Sequence, residues 1–409
     1  MIAAIRSLPR TVWLLGLISL VNDSASEMIY PLVPLYLTSV LMAGPKALGL
    51  IEGVAEAVGS LLKLVTGVLA DRTHRIKYWV VAGYGVAALA RPLLALATSW
   101  IGVFVCRFAD RVGKGLRTAP RDALLSLSIE PERRGLAFGF HRAMDNLGAV
   151  VGPLTAAGLL ALGLPLRSVL LCAAAPAVIV IWLSFAIREP QQALVLKPLP
   201  FSWRLAEFPT AFRRYLIALT LFTLGNSSNM FLLLRARELG LSEMKVPLAW
   251  ALVAFVAAVL SAPLSALSDR IDRKRLIVAG WSVYAGFYLL FGLLPPTPWL
   301  LWPLFAGYGI FLAATEGAEK ALVADLVPRE SSGTAFGWYN MLIGVLLLPA
   351  SVLFGWLWSA IAPLAAFAFG AACALVAAVL LRFWVTPPTV RAGVSERDGH
   401  DRKRFDAAP

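Results

Sequence analysis

The sequence predicts an all-α membrane protein of about twelve transmembrane helices. Of its 409 residues, 59% are hydrophobic and only 15% are charged, whereas soluble domains carry about 25% charged residues. Apolar runs of about twenty residues, the length that crosses a bilayer as a helix, recur along the whole chain. A transmembrane β-barrel would instead show alternating segments of about ten residues. The mean hydropathy of +0.75 agrees with a chain that is mostly embedded in lipid.

The basic residues fall mainly in alternate loops between the apolar runs, which is the positive-inside pattern of inner-membrane proteins. These loops hold Arg72, Arg75 and Lys77; Arg133 and Arg134; Arg213 and Arg214; and Arg270, Arg273, Lys274 and Arg275. We therefore expect a multi-pass protein of the inner (cytoplasmic) membrane with both termini in the cytoplasm. The net charge of +13 is explained in this way without a nucleic-acid partner.

Hydropathy places the twelve helices in two groups of six. They are predicted at residues 12–38, 47–70, 78–98, 100–127, 136–162, 168–187, 215–235, 247–268, 276–294, 299–327, 334–359 and 364–385. The predicted domains are a six-helix bundle at 1–188, a cytoplasmic linker at 189–212 rich in proline and charge, a second bundle at 213–386, and a disordered cytoplasmic tail at 387–409. The linker has room for a short surface helix.

The two groups of helices repeat each other. The sequence G-V-L-A-D-R that ends at Arg72 returns as S-A-L-S-D-R that ends at Arg270, and G-L-A-F-G-F from Gly135 returns as G-T-A-F-G-W from Gly333. Both pairs are 198 positions apart, as between 135 and 333. One offset shared by two motifs predicts a parallel duplication, and such repeats place the substrate site near the midplane between the halves.

Residues 67–77, G-V-L-A-D-R-T-H-R-I-K, resemble the loop signature G-x-L-A-D-R-x-G-R-K of the major facilitator superfamily, with His74 in place of a glycine. This resemblance extends over residues 12–385 and implies the fold of that superfamily. It also implies that the loop latches the halves together on the cytoplasmic side; a purely topogenic basic loop is the alternative. The predicted cytoplasmic gate consists of Gly67, Asp71, Arg72, Arg75, Asp269, Arg270, Arg121 and Glu319.

The fifth helix resembles the antiporter motif of the same superfamily, G-x8-G-x3-G-P-x2-G-G. Gly139, Gly148, Gly152 and Pro153 match this pattern, but the final glycine pair is alanine here. The resemblance favours export of a substrate. The alternative interpretation is ordinary close packing of helices through small residues.

The fourth helix carries an unusual number of charged side chains. Arg107, Gly113 and Gly115 match the family pattern R-F-x-Q-G-x-G-x-G, while Asp110 and Arg111 replace its glutamine and first glycine. Charged groups inside a bilayer are costly and face a cavity or a partner. In related antiporters the residue equivalent to Arg107 is linked to proton coupling. For Arg117 and Arg121, the alternative to facing a cavity or a partner is snorkelling, in which the charged end of the side chain reaches toward the cytoplasmic interface.

Acidic residues in the first two helices are candidate proton carriers. Glu27 lies in a polar run, N-D-S-A-S-E, and Glu56 follows Glu52 by one helical turn. A solvated position near the outer end is one interpretation of Glu52, and static pairing with arginine is the alternative role for the others. The predicted proton-coupling residues are Asp23, Glu27, Glu56, Arg107 and Asp110.

A central substrate cavity is predicted from polar residues of both halves. Its candidates are Asn22, Arg111, Lys114, His141, Arg142, Asp145, Asn226, Asn229, Glu316 and Asn340. The Asn226–Asn229 run is expected at the same place in the second half as the polar run of the first helix. Glu319 is the repeat counterpart of Arg121, so an ion-pair gate between the halves and direct substrate contact are both open interpretations. A packed histidine is as good an interpretation of His141 as a titrating one.

The leading functional prediction is proton-coupled export of a small molecule by alternating access, which is antiport. A proton-coupled importer of an organic anion is the alternative, because the fourth helix is so basic; a lipid flippase or a non-transporting receptor is a third class. No nucleotide-binding loop and no catalytic motif is present in the sequence, so we expect no enzyme, no cofactor and no metal. The expected partners are a small-molecule substrate, protons and the lipid bilayer, with the protein as a monomer.

Overall fold

The computed structural model describes residues 7–73, 76–129, 134–187, 204–268, 271–328 and 332–386. Across these ranges the chain forms twelve long helical segments and no strand. They are α1 (Arg10–Val40), α2 (Pro45–Thr73), α3 (Ile76–Leu93), α4 (Trp100–Leu127), α5 (Arg134–Ala161), α6 (Leu166–Phe185), α7 (Thr210–Glu238), α8 (Lys245–Ser268), α9 (Arg273–Leu293), α10 (Pro298–Asp325), α11 (Ser332–Ala360) and α12 (Pro363–Trp384). The predicted all-α fold of about twelve helices is confirmed.

Nine of these helices are long and apolar enough to cross a membrane, when the described residues are searched. The three helices that do not meet this criterion are α2, α4 and α8. Helix α2 carries Glu52, Glu56 and Lys63, and α4 carries still more charge, so their mean hydropathy is low although they lie within the bundle. These charged residues thus account for the weak membrane signal of α2 and α4.

Three helices are interrupted. α1 breaks after Ile29 and ends in a π-helical turn, Tyr36–Val40, while α6 breaks between Leu171 and Ala174. α7 breaks between Gly225 and Met230. The breaks of α1 and α7 correspond under the 198-residue offset, because position 30 maps onto position 228. The internal repeat therefore extends to the irregular backbone as well as to the loop motifs.

Successive helices run in opposite directions, so the bundle has two ends. We call the end where α1 begins and α12 ends the terminal face, and the other end the distal face. At the terminal face, Arg214 at the start of α7 donates to the carbonyl of Trp384 at the end of α12. At the distal face, Arg235 near the end of α7 donates to the carbonyl of Gly292 at the end of α9.

The two halves pack against each other along α2 and α11 on the distal side. A Cβ atom added to Gly53 would lie 2.9 Å from the carbonyl oxygen of Leu348, and one added to Gly355 would lie 2.6 Å from that of Pro45. These glycines are needed because the two backbones approach too closely for a side chain. The contact continues to Ser60 and Gly344, near the middle of α2.

The largest buried side chains lie mainly in the second half. Trp281, Tyr284 and Tyr288 of α9 are almost fully buried, and the ring of Tyr288 packs edge-on against Phe367 of α12 at 5.3 Å between centroids. Burial of these large rings against α12 stabilises the second half. Its core is thus aromatic, whereas that of the first half contains ion pairs.

The boundaries of the linker are partly visible. α7 begins at Thr210, which is earlier than predicted because the polar residues Arg213 and Arg214 lower the hydropathy of its first turn. The described part of the linker contains a 3₁₀ turn, Leu205–Glu207. The rest of the predicted linker and the predicted tail lie outside the described residues, and the four-part division of the chain stays a prediction.

Candidate functional site

Two ion pairs join α2 to α4 in the interior of the first half. Arg107 holds Glu52 with two hydrogen bonds, 2.8 Å from Nε to Oε1 and 2.9 Å from Nη2 to Oε2. One turn further along both helices, Arg111 Nε lies 2.6 Å from Glu56 Oε1. Residues four apart share a helix face, so the two pairs stack. The interpretation of Glu52 as solvated is wrong: it is 1% exposed, because Arg107 supplies its counter-charge.

Asp110 lies at the centre of this network. Its carboxylate is 2.9 Å from Arg91 Nε, 3.6 Å from Arg107 Nη1 and 3.4 Å from Arg111 Nη1. Removing the charge of one buried partner is strongly destabilising because it leaves uncompensated charge behind. Protonation of Asp110 would leave three guanidinium groups without their shared counter-ion. The geometry therefore favours static pairing for Asp110 over a role as proton carrier.

The polar run of α1 extends the network. Arg91 Nη1 donates to both the backbone oxygen and the side-chain oxygen of Asn22, at 2.9 Å each. Asn22 Nδ2 in turn donates to Asp23 Oδ1 at 2.8 Å. Asn22 is buried and Asp23 is half-buried. The predicted cavity residue Asn22 is thus a structural link between Arg91 and Asp23.

Glu27 makes the polar contact that crosses between the halves near the middle of the bundle. Trp250 of α8 donates from Nε1 to Glu27 Oε2 at 2.8 Å. The ring of Tyr30, one turn beyond Glu27 on α1, stacks on the ring of Trp250 with centroids 5.1 Å apart. Among the described residues no cation forms an ion pair with Glu27. This carboxyl group can therefore exchange a proton without the loss of an ion pair.

The amides of the second half lie at the break of α7. Asn226 Oδ1 accepts from the Tyr284 hydroxyl at 3.2 Å, and Asn229 Oδ1 accepts from the Tyr308 hydroxyl at 2.6 Å. The 198-residue offset maps the polar run of α1 onto 220–225, so the amides lie about one turn beyond the expected place. The expected match in position is wrong, because the amides lie within the break of α7, whereas the polar run of α1 precedes the break of that helix.

A cavity of about 380 Å³ opens between α5, α8 and α10 in the terminal half of the bundle. On one side Glu316 Oε1 is 2.8 Å from Arg142 Nη2, across the two halves, and 2.9 Å from Lys320 Nζ. The opposite wall is mostly alanine. The lining residues are Arg142, Asn146, Ala149, Ala254, Ala257, Ala258, Ser261, Ala313, Glu316, Gly317 and Lys320. The structure thus brings together two predicted cavity residues, Arg142 and Glu316.

The expected pair between Arg121 and Glu319 does not form in this structure. Arg121 is paired with its neighbour Asp122, with Nη2 2.8 Å from Oδ1. Glu319 is buried in the second half and accepts from Trp281 Nε1 and from the Tyr339 hydroxyl, both at 2.9 Å. Aromatic donors within its own half satisfy Glu319, so the inter-half ion pair is made one turn earlier on α10, by Glu316.

The other predicted site residues are placed as follows. His141 Nδ1 lies 3.5 Å from Asp145 Oδ2, and Asp145 also accepts from the Ser19 hydroxyl, which ties α5 to α1. Asn340 is exposed and bonds the carbonyl of Phe336 one turn earlier on its own helix. In the described part of the chain, no group of three or more metal-ligating side chains is close enough to hold an ion.

The predicted gate falls largely outside what is described. Gly67, Asp71 and Arg72 lie in the last turns of α2, where only the backbone is described. Arg75, Asp269 and Arg270 lie outside the described residues. Their role as a latch stays a prediction.

Sequence comparison identifies the family. The family model of the Major Facilitator Superfamily matches the chain twice, over residues 15–233 and over residues 215–406. The chain belongs to the Major Facilitator Superfamily. The double match agrees with the internal repeat and with the paired helix breaks, and it confirms the resemblance that the loop motif indicated.

Relatives within the superfamily cover nearly the whole chain. An uncharacterised transporter of Methanocaldococcus jannaschii is 35% identical over 391 residues, covering 92% of this chain and 96% of its own. The multidrug resistance protein MdtG of Escherichia coli is 27% identical over 336 residues, covering 77% of this chain and 79% of its own.

Solved transporter structures share the fold. The nucleoside transporter NupG aligns with a TM-score of 0.74 at 13% identity, covering 91% of this chain and 98% of its own. The peptide transporter POT, solved with sulfate, aligns with a TM-score of 0.75 at 14% identity, covering 91% and 94%. At these identities the likeness concerns the superfamily fold alone.

Sequence reasoning missed the aromatic donors of the site. Trp250, Tyr308 and Tyr339 each bond a polar group that the sequence did predict. A Trp or Tyr inside an apolar helix usually finds a hydrogen-bond partner when it is buried, and this was the available signal. Lys63 of α2 was not assigned to the site either.

Proposed function

We propose that this superfamily member is a secondary active transporter of the inner membrane that exports a small molecule in exchange for protons. It works by alternating access, as a monomer, with both termini in the cytoplasm. Glu27 is the proton-binding group that couples the two movements.

The contact between Glu27 and Trp250 carries this proposal. It joins the halves through a neutral donor, so the protonation state of one carboxyl group acts directly on an inter-half bond. A carboxylate accepts a stronger hydrogen bond than a neutral acid does. Protonation of Glu27 weakens the hydrogen bond to Trp250 and favours a different arrangement of the halves. The neighbouring Asp23 provides a second carboxyl group on the same helix.

The distribution of contacts supports alternating access. The halves are packed along α2 and α11 on the distal side, while the cavity lies on the terminal side. With the termini in the cytoplasm, this arrangement presents the cavity to cytoplasmic substrate. Likeness to the multidrug resistance protein MdtG and the antiporter-like motif of α5 support export as the direction.

Everted membrane vesicles with an acidic interior test the proposal. A panel of labelled organic anions, cations and neutral compounds is screened for accumulation that requires the pH gradient. We expect E27Q, which keeps an acceptor for Trp250, to abolish gradient-driven accumulation and to retain exchange of unlabelled for labelled substrate. Control variant E243Q alters a partly exposed acid paired with Arg237 and should behave as the wild type. Full gradient-driven accumulation by E27Q would refute the role of Glu27.

A further inference from the structure

Two lysines lie side by side across the contact between α2 and α4. At this contact a Cβ atom added to Gly115 would lie 2.6 Å from Leu62 Cβ, and Thr66 Oγ1 donates to the carbonyl of Gly115 at 2.8 Å. Lys63 follows Leu62 and Lys114 precedes Gly115 in the chain. The contact between Leu62 and Gly115 therefore brings the side chains of the two lysines close together. Both side chains are half-buried.

Lys63 lies close to the contact between the two halves. It shares a helix face with Ser60, three residues earlier. Ser60 touches Gly344 of α11 in the other half. Lys63 lies one turn closer to the terminal face.

Neither lysine forms an ion pair with any carboxylate that the structure describes. Glu56, which interacts electrostatically with both lysines, is already held by Arg111, with Oε1 2.6 Å from Nε. Lys63 and Lys114 interact electrostatically with Glu56 and with each other. Asp23 also interacts electrostatically with Lys114, but no described carboxylate is in ion-pair contact with either lysine.

A third cation adds to the positive potential. Arg117, one turn beyond Lys114 on α4, is 4% exposed and stacks over the ring of Tyr84 at 4.7 Å. Its Nη1 atom is buried and has no hydrogen-bond partner among the described residues. Like charges held together in a poorly solvated site repel one another unless an anion neutralises them.

We propose that Lys63 and Lys114 form a subsite that binds the anionic group of the substrate, a carboxylate, sulfonate or phosphonate. The inference rests on the proposed transport function and names the substrate class for it. An anion placed between the two ammonium groups gains charge-assisted hydrogen bonds from both.

Equilibrium binding to the purified full-length chain in detergent tests the subsite. The probes are two matched pairs: benzenesulfonate with neutral benzenesulfonamide, and phenylphosphonate with its neutral dimethyl ester. Thermal shift at a single pH measures the affinity of each. We expect the anion of a pair to bind at least tenfold more tightly than its neutral partner. K63Q and K114Q should each reduce anion affinity about tenfold, whereas K63R and K114R should keep most of it.

Control variant K46Q removes an exposed lysine at the start of the same helix α2 and should bind anions as the wild type does. The proposal is overturned if both anions bind no better than their neutral partners, or if K63Q and K114Q bind anions with unchanged affinity. Because no pH gradient is involved, loss of the anion preference and loss of proton coupling are separate results. A wild type that prefers anions but shows no gradient-driven transport would refute only the coupling.

Discussion

Removing the charge of Glu52 should destabilise the first half far more than its single contact suggests. In E52Q the side chain keeps its size, but Arg107, which is 3% exposed, loses its bidentate partner. The remaining anion, Asp110, lies 3.6 Å away and is shared with Arg91 and Arg111. Breaking a buried ion pair by removing one partner costs about 3–5 kcal/mol. We expect E52Q to lower the free energy of unfolding by this amount.

The measurement is unfolding of the purified protein in mixed micelles by titration with SDS, followed by circular dichroism. The matched control is E238Q, because Glu238 pairs with Arg235 but is 38% exposed; such pairs are worth about 0–1 kcal/mol. The double variant E52M/R107M should lose less than E52Q, since it leaves no unpaired charge. An effect of E52Q as small as that of E238Q would refute the reasoning.

Two further predictions concern the contacts between the halves. In G53A the new methyl group would meet the backbone of Leu348 at 2.9 and 3.0 Å, so we expect a loss of about 1–3 kcal/mol in the same titration. The control is G158A, because nothing lies within 4 Å of a Cβ atom added there. Equal losses of stability in G53A and G158A would contradict the close approach of the two helices at Gly53. Arg142 and Glu316 are 60% and 52% exposed, so a double-mutant cycle with R142Q and E316Q should give a coupling of about 0–1 kcal/mol. This coupling should weaken at high salt, and one well above 1 kcal/mol, or insensitive to salt, would show that the pair is not solvated.

The fold was predictable because its signals are local. Length and hydropathy locate helices one at a time, and the 198-residue offset is a property of the chain alone. Where local signals conflict, boundaries shift: α7 begins at Thr210 because its first turn is helical in spite of its arginines. Charge misleads in the same way in α2 and α4, which are full members of the bundle although they fail the membrane criterion.

The site was predictable as a set of residues but not as a set of pairs. The charged residues of α4 were predicted to face a cavity or a partner, and the structure brings Arg107, Asp110 and Arg111 together. Which acid each arginine holds depends on the register between α2 and α4, and that register is set by the close contact at Gly115. No pattern within a single helix reveals this register. This is why the pairing of Glu52 with Arg107 was not predicted.

The two halves satisfy their buried polar groups by different chemistry, and this difference bears on mechanism. In the first half, arginines and acids bond mostly to one another, and a proton added to Glu52 or Asp110 would break an ion pair. In the second half, Glu319 is held by aromatic donors. Glu27 belongs to the first half by sequence, yet its partner is Trp250 of the second. Among the described acids of the first half, Glu27 is the one bonded to the other half by a neutral donor. A proton on Glu27 can therefore act on the contact between the halves without breaking an ion pair of the first-half network.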